Sequence, residues 1–218
     1  MKKAATTSVL LGAAALALAT PAFAVSPDIV ISQVYGGGGN SGATLTHDFI
    51  EVFNRGVAPV DVTGWSVQYA SATGSTWQVT ALSGIIPVGG YYLIQQAQGA
   101  GGSQALPTPD ATGTIAMSAT NGKVALVTST TALSGTCPAA YDFFGFGTAN
   151  CSETAATAAL NNTTAASRNA DGCTDTDDNS SDFTLGGPLP RNSASPVNDC
   201  NPVQNTSSTW GRMKTLYR

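Results

Sequence analysis

Asp48-Phe49-Ile50-Glu51-Val52-Phe53-Asn54-Arg55-Gly56, followed shortly by Val60-Asp61-Val62-Thr63-Gly64-Trp65, is the stretch whose reading decides the fold. Phe49, Ile50, Val52 and Phe53 make an apolar strand with no polar face, Arg55-Gly56 a turn, and Val60 to Val62 a short second strand. Gly64-Trp65 then opens the next strand. Glu51 is the oddity, a carboxylate in the middle of an apolar run. A buried carboxylate has to be paired or hydrogen-bonded. The structural reading satisfies it with neighbouring backbone N–H groups or with Arg55, and the sharper reading makes it a functional acid. The structural reading is favoured, because ion pairs that only hold a fold together put acids in such places.

Working outward, period-two alternation recurs from residue 28 to residue 148 and helical periodicity is nearly absent. Trp65, Val67 and Tyr69 alternate with Ser66, Gln68 and Ala70, and Val30, Ser32 and Val34 interleave with Ile29, Ile31 and Gln33. Tyr91 to Ile94 and Val124 to Val127 are apolar on both faces, as strands covered on two sides are. Glycine and proline turns separate these runs, and Asn121-Gly122 has the composition of a tight hairpin turn. The run Gly36 to Gly39 reads as a flexible connection between strands, open to a recognition role but without the Lys and helix of a phosphate loop. Short strands at intervals of roughly ten residues predict an all-β sandwich over residues 25–148.

The N-terminus sets the compartment. Lys2 and Lys3 precede an apolar run from Val9 to about Leu18, and Ala22-Phe23-Ala24 supplies a small-x-small cleavage pattern. Residues 1–24 therefore read as a signal peptide, with about 194 residues (218 − 24) left in the mature chain. Losing two lysines leaves 7 basic against 13 acidic residues, a net charge of −6. That balance opposes nucleic-acid binding, which rests on Lys/Arg contacts to phosphate. No later apolar stretch is long enough to span a membrane. Cys137, Cys151, Cys173 and Cys200 are an even set in an exported chain and read as two disulfides. The sequence-near pairings 137–151 and 173–200 are preferred over the two alternatives.

Residues 149–207 read as a loop-rich extension packed on the sandwich, with one expected helix within 149–165 around Ala155 to Leu160. Within the extension, Asp175, Asp177 and Asn179 carry the alternating oxygens that begin a calcium loop. The pattern then fails, since Ser180 stands at the turn glycine and Gly186 at the bidentate glutamate. An irregular Ca²⁺ site on Asp175, Asp177, Asn179 and Asp182 competes with a disulfide-pinned turn whose side chains cap backbone N–H groups, and the turn is favoured. Residues 208–218 concentrate Trp210, Tyr217, Arg212, Lys214 and Arg218, and read either as a docking element or as a partner-binding tag.

Asp48-Phe49-Ile50-Glu51-Val52-Phe53-Asn54 with Pro59-Val60-Asp61-Val62-Thr63-Gly64-Trp65 resembles the signature of the lamin tail domain. Val30 to Tyr35 with the glycine loop, Pro107 to Gly113 and Ser118 to Val127 extend the resemblance to its bacterial, exported branch. It implies an immunoglobulin-like β-sandwich, of a kind often found at the start of extracellular nucleases. Chemistry of its own is not legible in this chain. His47 is the single histidine, no Gly-x-Ser-x-Gly elbow is present, and the cysteines are used in disulfides. The expectation is a secreted, non-catalytic binding or scaffold module for an unknown protein or cell-surface partner, with no cofactor unless Ca²⁺. The alternatives are a DNA-binding accessory module of a nuclease system and a hydrolase with an unrecognised site.

Overall fold

Strands apolar on both sides need cover on both sides, and the fold provides it. The computed structural model describes residues 25–200; the expected signal peptide and the 208–218 tail lie outside them. The strands are β1 (Ile29–Tyr35), β2 (His47–Asn54), β3 (Val60–Asp61), β4 (Ser66–Ala70), β5 (Gln78–Ala81), β6 (Ile85–Ile86), β7 (Tyr91–Gln98), β8 (Ala111–Thr112), β9 (Gly122–Val127), β10 (Asp142–Phe146), β11 (Ala165–Arg168) and β12 (Phe183–Gly186). A 3₁₀ turn (Ala170–Gly172) and a four-residue helix α1 (Asn179–Asp182) precede β12. A six-stranded sheet runs β12-β11-β1-β2-β7-β8 and a four-stranded sheet runs β10-β9-β4-β5, with a small β3-β6 ribbon beside them.

Between the sheets, Ile31, Val52, Tyr92 and Ile94 meet Val67, Tyr69, Val124 and Leu126. Each such side chain contributes roughly 1.5–3 kcal/mol on burial. The other faces are covered too. Val30, Phe53 and Tyr91 pack under the Cys173–Cys200 disulfide, and Ala70, Trp77, Ala125 and Phe143 pack with the Cys137–Cys151 disulfide. The cysteines thus join in the sequence-near pairs, 14 and 27 residues apart.

Several local readings change. The sheet does not stop at residue 148: β11 pairs with β1, and β12 with β11, so the extension adds two strands to the larger sheet. No helix forms around Ala155 to Leu160. Thr157 there bonds along the open edge of β10, accepting from Gly147 N–H at 3.0 Å and donating its N–H to Gly145 O at 3.1 Å, while Leu160 enters the core. An unpaired strand edge outcompeted the weak local preference of an alanine-rich run. Asn121-Gly122 is not a hairpin turn, because β9 pairs with β10 and β4. Gly122 is required for space: a Cβ would stand 2.7 Å from the Tyr69 ring. The glycine run is packed rather than loose, and a Cβ on Gly38 would fall 1.9 Å from the His47 carbonyl carbon.

Candidate functional site

The register of β1 against β2 shifts between Ile31 and Gln33, a bulge that breaks the simple alternation read from the sequence. Ile31 and Val34 face the core, while Ser32 and Gln33 both reach the outer face of the larger sheet. Glu51 lies on that face, fully buried, between the rings of Phe49 and Phe53 on one strand. Ser32 donates to its Oε1 at 2.6 Å. Arg191 supplies the rest: its N–H reaches Oε2 at 2.6 Å and its Nη2 reaches Oε1 at 2.9 Å. The same guanidinium lies 3.9 Å from the Tyr91 ring centre, and its Nη1 donates to the Tyr91 hydroxyl and to Asp171. Burial pushes the Glu51 carboxyl up and the Arg191 charge opposes that push.

Arg191 belongs to a strap, residues 188–200, that crosses the outer face. Leu189 exchanges two hydrogen bonds with the Gln33 amide, 2.8 and 2.9 Å. Asn192 and Ser193 bond to Thr108 and Asp110, Asn198 to Gly89, and Cys200 to Cys173. Arg55, the partner expected for Glu51, sits past the end of β2 and pairs instead with Asp175 at 3.1 Å. Beside the strap lies a groove of about 700 Å³, walled by Leu189 and Pro190 on one side and Gln104, Leu106 and Pro107 on the other. Leu189 is 75% exposed there.

The four candidate calcium ligands do not form one cage. Asn179 is wholly buried and patches the outer edge of β10, accepting from Gly145 N–H at 2.9 Å and donating to Phe143 O at 2.9 Å. Asp182 accepts from Thr176 N–H and hydroxyl. Asp175 is bound by Arg168 at 3.0 Å and by Arg55. Asp177 lies near Asp175 and Asp182, with Oδ1 buried and unpartnered. A different trio brings carboxylate oxygens within 4.8 Å of one another: Asp142, Glu153 and Asp175. Its charge is already met by Arg168, whose side chain is fully buried and bonds Asp142, Asp175 and the Ile31 carbonyl. Glu153 is pushed well up, first by burial and then by the Asp142 charge, while accepting from Phe143 N–H and Asn179.

His47 is half-buried, and its Nδ1 meets the Thr46 hydroxyl at 2.9 Å. Asp48 sits at a second bulge, in β2 against β7, and turns to accept from Gly38 N–H and Met117 N–H, both at 2.8 Å. Burial pushes it up to about 7 against those two donors. The sequence contained a signal for the missed partners. Only four basic residues fall within 25–200, and Arg55, Lys123, Arg168 and Arg191 are all fastened internally. In a chain that dresses its surface with Ser, Thr, Asn and Gly, a rare cation beside an apolar run marks an internal tie.

Among solved structures, a DUF4876 family protein from Bacteroides thetaiotaomicron superposes with a TM-score of 0.50 at 12% identity, over 80% of this chain and 75% of that one. At that identity the likeness concerns the fold. A comparison with curated proteins finds no match. The profile of the Lamin Tail Domain matches residues 23–174, which includes the bulged β1–β2 pair, Glu51 and Arg168 and stops short of Arg191 and the strap. With most of its length matched, the chain belongs to the lamin tail domain family.

Proposed function

We propose that the protein is an exported, non-catalytic binding module that holds a partner in the groove beside the strap. The observation that carries this reading is a contrast within one surface. The chain's buried carboxylates and basic residues are engaged in internal ties, whereas the groove walls leave Leu189 and Pro107 facing solvent, with Leu106 half-buried beside them. Apolar walls over a floor holding the Gln33 amide suit a peptide or protein segment: contact area supplies affinity and a few polar groups set orientation. Export is supported by the leader-like residues 1–24, by two disulfides, and by the absence, among the described residues, of any helix long and apolar enough to cross a membrane.

Nucleic acid is a poor partner for this surface. Residues 25–200 carry 4 basic against all 13 acidic residues, a formal −9. A fluorescence-anisotropy titration with DNA at about 50 mM salt, where phosphate contacts are strong, is expected to show no binding. Purified protein is likewise expected to lack phosphodiesterase and esterase turnover, with His47→Ala changing nothing. The decisive experiment is affinity capture from the producing culture with the native protein and with Leu106→Asp/Leu189→Asp. Proteins held by the native chain and lost with the double variant support the groove; an unchanged set removes it. The same capture with and without residues 208–218 assigns or denies the tail a share.

A further inference from the structure

Val25 and Ser26 lie against the acidic corner around Arg168. Ser26 is 1% exposed; its N–H donates to Asp175 Oδ2 at 3.1 Å and its hydroxyl to Tyr141 O and to Asp142 Oδ1. One residue earlier, the Val25 N–H donates to the Asp177 carboxylate. Asp177 is unusual in two ways. It is a non-glycine residue at φ 57°, and its Oδ1 is buried with no hydrogen-bond partner. Buried polar atoms are normally paired, so an orphan of this kind points to a missing donor. Beyond Asp142 and Asp175, which Arg168 and Arg55 meet, the corner adds the carboxylates of Asp177 and Asp182 with no further cation among the described residues. Asp177 is raised by burial and then by the charges of Asp175 and Asp182.

The Ala22-Phe23-Ala24 pattern places the scissile bond between Ala24 and Val25. Hydrolysis there breaks the amide C–N bond, gives the water hydroxyl to the Ala24 carbonyl carbon and returns a proton to the Val25 nitrogen. A neutral amide with one donor becomes, at neutral pH, an α-ammonium with three. We propose that leader removal completes this corner: the new Val25 α-ammonium is the missing cation, seated on Asp177 and donating to its orphan oxygen, so that the processed N-terminus becomes a structural part of the domain. Charge-assisted bonds of this kind are the strong ones. The acidic turn and α1, through Asp175 and Asp182, are then tied to the chain's own beginning.

The test compares three exported or semisynthetic chains: one beginning at Val25, one with a single glycine added before it, and one with the Val25 amine acetylated. The first is expected to melt roughly 2–4 °C above the other two. Its α-amine should react with an amine-labelling reagent at neutral pH roughly tenfold more slowly than in Asp177→Asn, because an ion-paired ammonium resists deprotonation. In the Asp177→Asn background the three chains should melt together. Equal melting of the three native-sequence chains, together with a Val25 amine that labels as fast in the native chain as in Asp177→Asn, would overturn the proposal. So would an intact mass showing that the exported protein begins anywhere but Val25. If Asp177→Asn does not fold, the acetylated and native chains still decide it.

Discussion

Glu51 shows how one residue can be framework and fastener together. It is buried on a face that the sandwich alone leaves open, and Arg191 both neutralises it and holds the strap down. Arg191→Ala is expected to lower stability by about 3 kcal/mol in urea denaturation, since it strands a buried carboxylate. Glu51→Gln should cost less, because a neutral amide still accepts from Ser32 and needs no counter-charge. The double change should fall well short of the sum, the mark of a direct pair. Asp48 predicts the pH response. Its carboxyl is raised in the folded protein to about 7 from 3.8, so the native state binds a proton that the unfolded chain releases between those values. The resulting stability is present at low pH and lost as pH rises through 7. Glu51, Asp142 and Glu153 are raised by burial as well and act in the same direction. The melting temperature should therefore be higher at pH 5 than at pH 8.5, and Asp48→Asn should shrink that slope while weakening the fold by leaving one backbone donor without an acceptor. A melting temperature that climbs from pH 5 to pH 8.5 would sink this account.

At the scale of elements, the sheet edges explain the acidic segment. β10 ends the four-stranded sheet, and the backbone groups on its outer edge are taken up by Asn179, Glu153 and Thr157 rather than by another strand. Blocking an edge with side chains is a way to keep it from pairing with other molecules. Asn179→Ala removes the bonds to Phe143 O and Gly145 N–H together, with an expected cost of about 2–4 kcal/mol and a greater tendency to aggregate on heating. Added Ca²⁺ should leave the melting temperature where a chelator leaves it, because Asn179, Asp175 and Asp182 already have partners. The sequence showed part of this. The phase of Trp65, Val67 and Tyr69 was legible because β4 is regular, and so were the doubly apolar β2, β7 and β9. The phase of β1 was hidden by a bulge, which leaves no local signature when it falls at a serine. The helix expected at Ala155 to Leu160 failed because the decisive partner, the edge of β10, is a tertiary feature. Glu51 was visible as an anomaly, but its partner lies 140 residues away, beyond any spacing rule.

The whole molecule repeats one construction on its two sides. Each sheet has an outer apolar patch, and each patch is closed by a segment fastened with one cation and one disulfide. Over the larger sheet these are Arg191 and Cys173–Cys200; over the smaller they are Lys123 and Cys137–Cys151. The Lys123 ammonium donates to Gly74 O, Thr136 O and Asn150 Oδ1 at 2.7–2.8 Å, so it binds the chain on both flanks of its disulfide. If the covers are separate units on a common sandwich, each should open alone. Replacing Cys173 and Cys200 by serine should cost about 3.5 kcal/mol and replacing Cys137 and Cys151 about 3 kcal/mol, the difference following loop length. Hydrogen exchange then distinguishes separate covers from a single cooperative shell. Loss of 173–200 should speed exchange in residues 188–198 and at Tyr91 while leaving Trp77 and residues 131–140 protected, and loss of 137–151 should do the converse. Lys123→Met combined with the 137–151 replacement should add little to exchange over the larger sheet, since its fastenings share no partner with Arg191. Simultaneous deprotection of both covers from either replacement would mean that the sandwich and its covers unfold as one body, and that the groove beside the strap cannot loosen without the core.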